Sequence, residues 1–289
     1  MDNMGNLAEQ ISQTGEGGNM DHKTFEAFRT LVYNKSGINL GEHKQALVCA
    51  RVGKRMRMLG IHEYQDYLQY VSDDDSGEEL VKLLDVISTN VTHFFREPKH
   101  FEVLESILKQ WQAAGQRKFR IWCAASSTGE EPYTIAMTVK EALGESGGSD
   151  VKILATDIST RVLDVARQGM YEDRKLDKVP EPFLRKYFQK GLGRAQGYYL
   201  VKKPLRDMLT FGRLNLSIQP FPIHGPLDII FCRNVMIYFD NHVRGKVLDN
   251  MFRLLRPGGY LMVGHAESLT GLVSSFKNVM PSVYVKGAP

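Results

Sequence analysis

The chain of 289 residues, 43% hydrophobic and 24% charged with 26 Gly and 11 Pro, has room for one large domain or a small one joined to a medium one, and its composition excludes disordered, collagenous and fibrous classes. A formal net charge of +4 is too mild to imply nucleic acid by itself. No run of 18 apolar residues and no basic, apolar and small-residue N-terminal pattern points to a membrane span or a secretory signal.

Residues 1–19 are polar and Gly-rich, which predicts a disordered tail. From residue 21 to 87 apolar positions recur three and four apart: Phe25, Phe28, Leu31 and Val32; Val48, Val52, Met56 and Leu59; Tyr64, Tyr67, Leu68 and Val71; Leu80, Leu83, Leu84 and Ile87. Four helices are expected, the first two stopped by Gly37 and Gly60. A small helical domain over 20–88 follows. Charge is segregated within it. Residues 41–60 hold Lys44, Arg51, Lys54, Arg55 and Arg57 against Glu42 alone, whereas 61–80 hold only acidic charges. Arg51, Lys54 and Arg55 fall on a helical face away from Val48, Val52 and Met56, either a solvated cationic face or one that meets an acidic partner.

Residues 89–98 (TNVTHFFREP) alternate polar and aromatic side chains, reading as an interdomain hinge or as one wall of a pocket. Residues 89–117 form a linker and a first helix. After Lys118 short Val/Ile-rich runs alternate with helical stretches: RIWCA, KILAT, LTFGRL, LDIIFC and YLMVG are the strands. That rhythm predicts an α/β doubly wound parallel sheet over 118–289. Gly-rich residues followed by a β-like run predict an antiparallel insertion at about 188–208, and residues 256–259 (RPGG) a sharp helix-to-strand turn. Cys49, Cys123 and Cys232, odd in number and each in an apolar run, read as buried thiols in a reducing cytoplasm.

Ligands of an open parallel sheet lie at the carboxyl ends of its strands, beside the switch in strand order. After the first strand come residues 125–132 (ASSTGEEP). They are not G-x-G-x-x-G, and Glu130 and Glu131 stand where a pyrophosphate would need bare N–H groups. A cationic ligand suits this loop, although both carboxylates also serve as favourable charges at a helix start. Asp157 ends the second strand, 28 residues beyond Gly129, as a ribose-hydroxyl acceptor or a helix N-cap. Asn215 and Leu216 after the third strand can meet an adenine edge and face, or form a turn. Arg233, Asn234 and Tyr238 follow the fourth, where packing alone does not call for such polar groups.

The segments TNVTHFFRE, CAASSTGEEPYTIAM, ATDIS, FCRNVMIYF and RPGGYLMVGHAES together resemble the CheR family of chemotaxis receptor methyltransferases, over residues 25–285 and in the family's order. The resemblance implies a class I AdoMet-dependent methyltransferase fold, Rossmann-like, with a small N-terminal helical domain and an inserted antiparallel β-subdomain. It implies methyl transfer from S-adenosyl-L-methionine (AdoMet) to glutamate side chains of membrane chemoreceptors, in the cytoplasm at receptor arrays, with S-adenosylhomocysteine as product. Asn90, Thr92 and Arg96 would close over the methionine end, Glu130 (or Glu131) would hold the amino-acid portion or ribose, Asp157 the ribose hydroxyls, and Asn215 with Leu216 the adenine. Arg233, Asn234 and Tyr238 would line the reacting end. Arg96 and Tyr238 are the expected catalytic pair, Arg51, Lys54 and Arg55 the expected dock for receptor helices, and the β-subdomain a site for a receptor's C-terminal tail peptide.

The residues agree with that chemistry. A sulfonium and an ammonium suit an acidic loop. A glutamate acceptor is already ionised at pH 7, so no general base, Ser/His/Asp set or metal is needed. A nucleic-acid methyltransferase is the nearest rival, but Arg233-Asn234-Val235 stands where base-amino enzymes carry an Asn- or Asp-Pro-Pro-aromatic motif. A small-molecule O-methyltransferase would not need the insertion. A non-catalytic AdoMet-binding adaptor would not need Arg96 and Tyr238.

Overall fold

Helix starts and stops follow the sequence closely in the computed structural model, which describes residues 20–88, 90–144, 148–269, 271 and 276–287. The expected disordered tail lies outside the described residues. The chain divides into two units, one ending at Ser88 and the other built from Thr89 onward together with Ser36–Ile38.

The first unit is helical: α1 (His22–Ser36), α2 (Gln45–Leu59), α3 (Tyr64–Ser72) and α4 (Glu78–Ile87). Each periodic set faces inward. Phe25, Phe28 and Val32 of α1, Val52 of α2, Tyr67 of α3 and Leu83 of α4 are fully buried, each contributing roughly 1.5–3 kcal/mol of transfer free energy. Two carboxylates, Glu79 and Asp85, lie inside. Glu79 is only 3% exposed and accepts both Arg55 Nε (2.8 Å) and Nη2 (2.6 Å), plus the Tyr67 hydroxyl at 2.8 Å.

The second unit holds a seven-stranded sheet. Its strands are β1 (Lys118–Cys123), β2 (Asp150–Asp157), β6 (Leu209–Arg213), β7 (Leu227–Cys232), β8 (Leu255–Val263), β9 (Phe276–Met280) and β10 (Val283–Lys286), in the order β6-β2-β1-β7-β8-β10-β9. The first five are mutually parallel, and β10 runs antiparallel to both neighbours. Every residue of β7 is buried, as a central parallel strand requires. Strand order reverses between β1 and β7, which sets the switch point beside the carboxyl end of β1. Helices α5 (Lys99–Ala113), α6 (Glu130–Leu143), α7 (Thr160–Gln168) and α10 (Asn241–Leu254) accompany the sheet. The class I AdoMet-dependent methyltransferase architecture expected from the sequence is present, with its helical N-terminal domain and its antiparallel insertion.

Three details differ from expectation. The insertion is a three-stranded sheet, order β3-β5-β4, because β3 (Met170–Glu172) joins the hairpin of β4 (Phe188–Lys190) and β5 (Tyr198–Val201). Helix α8 (Glu181–Tyr187) precedes that hairpin and α9 (Lys203–Arg206) follows it. A Cβ at Gly191 would stand 2.1 Å from the Ala195 carbonyl oxygen, so only glycine closes this turn. The residues Arg256 to Gly259 are not a turn before a strand but a bulge within β8: Leu227 pairs Leu255, and Ile229 already pairs Tyr260. Asp228 stabilises the bulge by accepting Arg256 Nε at 2.6 Å and the Arg120 N–H at 2.7 Å. Finally, Cys49 is half-buried rather than buried, unlike Cys123 and Cys232.

Candidate functional site

The carboxyl ends of β1, β2, β6 and β7 carry the polar residues singled out in the sequence. After β1 the chain turns sharply into α6. Ser127 takes a left-handed conformation (φ 47°) and Gly129 another (φ 97°). A Cβ at Gly129 would lie 2.5 Å from the Tyr171 hydroxyl and 2.9 Å from the Ala166 Cβ, so glycine is required by both space and backbone. The turn leaves the Ser127 N–H pointing at Asp157 Oδ2 (2.9 Å), while Asp157 Oδ1 accepts the Ser159 N–H at 3.0 Å. Asp157 is therefore a fixed carboxylate. Ser159, not Asp157, caps α7, its side chain accepting from Val162 N.

The two glutamates at the start of α6 part company. Glu130 is 0% exposed; it accepts the Thr128 hydroxyl at 2.6 Å and Lys175 Nζ at 3.3 Å. Glu131 turns the other way, to Arg233 Nη1 at 2.6 Å and the Cys123 thiol at 3.3 Å. Burial pushes the Glu131 carboxyl up, with the Arg233 charge opposing.

Residues 90–98 are irregular, anchored by fully buried Phe94, which meets Tyr171 and Phe188 edge-on at 5.0 and 5.6 Å. Arg96 sits between two residues with positive φ, Phe95 and Glu97, each at 55°. Left-handed conformations of non-glycine residues cost of order 1–3 kcal/mol and persist only where their surroundings fix them. Here the Phe95 N–H donates to Thr134 Oγ1 at 3.2 Å, and Arg233 Nη2 donates to the Arg96 carbonyl (2.5 Å) and to Glu97 Oε2 (2.9 Å). Arg96 itself is part-exposed and donates Nη1 to the Val91 carbonyl at 2.9 Å.

Arg233 thus differs from expectation. Its side chain is 0% exposed, braced by Glu97 and Glu131 and lying 5.6 Å from the Phe101 ring centroid, so it is a buried clamp rather than a lining group. Burial pushes the Glu97 carboxyl up, but the Arg233 hydrogen bond and charge outweigh this and hold it below the usual carboxylate range. His100 nearby is pushed down to about 4 by burial, helped by the Arg233 charge.

Asn234 follows with φ 57° and donates Nδ2 to Glu97 Oε1 at 3.4 Å. Its N–H, with those of Ile237 and Gly264, donates to the buried carboxylate of Glu267 at 2.7, 3.2 and 2.7 Å. That carboxylate shapes the loop presenting half-buried Tyr238. After β6, Asn215 Oδ1 accepts from Ser217 N (3.0 Å) and Oγ (2.8 Å), and Leu216 is buried. Thr92 is half-buried in the 90–98 segment.

Arg51, Lys54 and Arg55 belong to the helical unit, and only Lys54 is exposed. The Arg55 side chain is 14% exposed against Glu79. Arg51 Nη1 donates to the carbonyls of Ile87 and Ser88 at 2.5 and 3.2 Å, at the end of α4. The basic face is therefore narrower than helical spacing implied, because two of its three cations are tied to the fold. Glu97, Glu267 and Lys175 escaped sequence reasoning. The first two lie inside the segments TNVTHFFRE and VGHAES, but nothing local marks their distant partners.

A ligand-accepting character shows in Asn90 Nδ2 and Ser126 Oγ, buried polar atoms that have no hydrogen-bond partner among the described residues. Their backbone surroundings are otherwise satisfied: the Asn90 carbonyl accepts the Ser127 hydroxyl at 3.2 Å, and the Ser126 N–H donates to Thr156 O at 2.9 Å. Fixed carboxylates, orphan donors and a glycine-tight turn fit a polyhydroxylated, cationic ligand better than a phosphorylated one.

Comparison with known proteins points the same way. The family described as the CheR methyltransferase SAM binding domain matches residues 90–285, and the CheR methyltransferase all-alpha domain matches 23–88. A "Chemotaxis protein methyltransferase 2" of Pseudomonas aeruginosa is 41% identical over 260 residues, covering 90% of this chain and 91% of that one. The "Chemotaxis protein methyltransferase" of Klebsiella aerogenes is 38% identical over 252 residues (87% and 85%), and that of Escherichia coli 37% identical over 260 residues (90% and 89%).

Proposed function

The chain belongs to the CheR methyltransferase family, as an AdoMet-binding chemotaxis protein methyltransferase, and from that premise we propose that it methylates glutamate side chains of membrane chemoreceptors, forming glutamyl methyl esters in chemotactic adaptation. The observation that carries the reading is the pair of carboxylates placed after β1 and β2, Asp157 fixed by two backbone N–H groups and Glu130 fully buried beside Lys175.

AdoMet, when bound, would supply a sulfonium methyl group to which a carboxylate oxygen can bond in line as the carbon–sulfur bond breaks, the leaving group being the neutral thioether S-adenosylhomocysteine. Asp157, a carboxylate fixed at the end of β2, accepts ribose hydroxyls. Glu130 complements an amino-acid ammonium, a role in which Lys175 now partners it. The Asn90 amide and Ser126 hydroxyl, lacking internal partners, satisfy polar groups of the ligand, and Leu216 packs the adenine while Asn215 borders it. Asn234, Thr92 and Tyr238 line the reacting end.

Arg96 orients the acceptor glutamate. Its planar fork matches two carboxylate oxygens, and the part-exposed side chain gives one N–H to Val91 O, leaving further donors of the fork for the acceptor. Too tight a pair would blunt the nucleophile, so Arg96 acts by alignment, and alignment supplies most of the acceleration for a displacement that needs no general base. Lys54, exposed on α2, with Arg51 beside it, gives an acidic receptor helix a cationic contact. The edge strands of the β3-β5-β4 sheet suit a receptor's C-terminal tail peptide added as a further strand. The protein then works in the cytoplasm, recruited to receptor arrays. No helix among the described residues is long and apolar enough to cross a membrane.

The test is chemical. Protein incubated with methyl-labelled AdoMet and chemoreceptor-containing membranes should yield receptor label that mild alkali releases as methanol. Label that resists alkali would instead report methylated nitrogen and reject the glutamyl ester.

A further inference from the structure

His100 is buried to 1% exposure on the first turn of α5, and among the described residues neither of its ring nitrogens has a hydrogen-bond partner. A desolvated imidazole without partners is costly, and such a group in a native fold calls for a ligand, an ion or a water. Its surroundings choose among these. Glu97 Oε2 faces His100 Nδ1 at 3.5 Å, His265 Nε2 lies 3.9 Å from that same oxygen, and the ligand atoms of all three residues fall within 4.8 Å of one another. The two imidazole rings are 5.3 Å apart between centroids.

We propose that Glu97, His100 and His265 form a binding site for a first-row transition cation, Zn²⁺ above all. Zinc bonds to imidazole nitrogen and carboxylate oxygen are about 2.0–2.2 Å, which for a tetrahedral ion sets ligand atoms roughly 3.3–3.5 Å apart. One edge of that tetrahedron, His100 to Glu97, already has this length. The others close by side-chain rotation of His265, whose side chain is 54% exposed and therefore free to move.

Two imidazoles and one carboxylate select zinc, nickel or copper over magnesium or calcium, which prefer oxygen cages. A half-exposed third ligand leaves the fourth position to water and gives the ion a way in. Arg233 competes for Glu97, at 2.9 Å from Oε2. The remaining oxygen, Oε1, is held only at 3.4 Å by the His265 N–H and by Asn234 Nδ2, so Arg233 can shift to it and leave Oε2, the oxygen that faces both imidazoles, to the ion. Because Glu97 adjoins Arg96, an occupied site disturbs the segment that orients the acceptor, and the ion acts as an inhibitor rather than a cofactor. That consequence alone rests on the methyltransferase reading; the binding does not.

The experiment is direct metal binding to the untagged, metal-free full chain. Zn²⁺ is titrated by calorimetry and Co²⁺ by visible absorption, in the wild type, His265→Ala and His100→Asn. One equivalent of Zn²⁺ is expected, weakened at least tenfold in both variants, with cobalt d–d bands and no thiolate charge-transfer band from Cys49. The His265→Ala protein keeps the backbone N–H that contacts Glu97, so its fold is preserved even if His100→Asn is unstable. Absence of stoichiometric binding, or undiminished binding by His265→Ala, overturns the proposal while leaving AdoMet binding, measured on the same samples, to speak separately for the methyltransferase reading.

Discussion

Arg233 Nη2 donates to the carbonyl oxygen of Arg96 at 2.5 Å, joining residues 137 apart in sequence. Through this bond the end of β7 holds the backbone of the loop that carries the acceptor-orienting arginine. The same guanidinium binds Glu97 and Glu131, so one buried cation sets both the Arg96 segment and the start of α6. Position and stability are coupled at this point.

Arg233→Met should cost about 3–5 kcal/mol of folding stability, because it leaves buried Glu131 and half-buried Glu97 without their counter-charge. Urea denaturation measures this directly. Arg233→Lys, which keeps the charge but not the planar fork, should lose less stability yet still slow methyl transfer, since it cannot hold Glu131, Glu97 and the Arg96 carbonyl at once.

Arg96→Ala should reduce the turnover number on the order of 100-fold or more, as loss of acceptor alignment implies, while AdoMet affinity stays largely intact. Steady-state kinetics beside calorimetry separates the two. Equal loss of both would reassign Arg96 to holding the methyl donor.

Asp157→Asn replaces a charged acceptor whose oxygens are fixed by the Ser127 and Ser159 N–H groups. Hydrogen bonds to a charged group are worth about 1.5–3 kcal/mol, so AdoMet should bind roughly 10- to 100-fold more weakly. An unchanged dissociation constant would remove Asp157 from the ribose site.

Burial raises the Glu79 carboxyl, but hydrogen bonds from Arg55 and Tyr67 and the Arg55 charge overcome it, and the group ends below the usual carboxylate range. A depressed folded-state value adds stability that is fully present above the unfolded carboxylate range, near pH 4.3, and is lost as pH falls through the lower folded value. Stability of the wild type should therefore drop steeply below about pH 4.3. Glu79→Gln should start lower at neutral pH, with a shallower acid limb. Denaturation curves between neutral and acid pH test both features.

Much of this was legible beforehand. Runs such as LDIIFC and KILAT announce buried parallel strands because a strand covered on both faces has no polar alternation to hide it, and Phe25, Phe28 and Val32 mark the inner face of α1 by spacing alone. Other features were not legible. Strand β3 has three residues, too few for any period to show. Arg233 reads as a group lining the reacting end, and only its pairing with two distant carboxylates explains its full burial as a clamp. Arg55 was expected to face a partner for the same reason: helical spacing placed it off the apolar stripe, and nothing local revealed that Glu79 would claim it from α4.

Lys54 is the exposed member of the basic set. Charge reversal there should slow receptor association and flatten its salt dependence without affecting AdoMet affinity, as is typical for charges at the rim of an interface. Receptor binding that is indifferent to Lys54→Glu would withdraw the docking role.

The most direct measurement is a pair of calorimetric titrations of the purified chain, one with S-adenosylhomocysteine and one with a pyrophosphate-bearing dinucleotide. The site of Asp157 and Glu130 should take up one equivalent of the first and none of the second. Tight binding of the dinucleotide with no uptake of the thioether would contradict the account at its base.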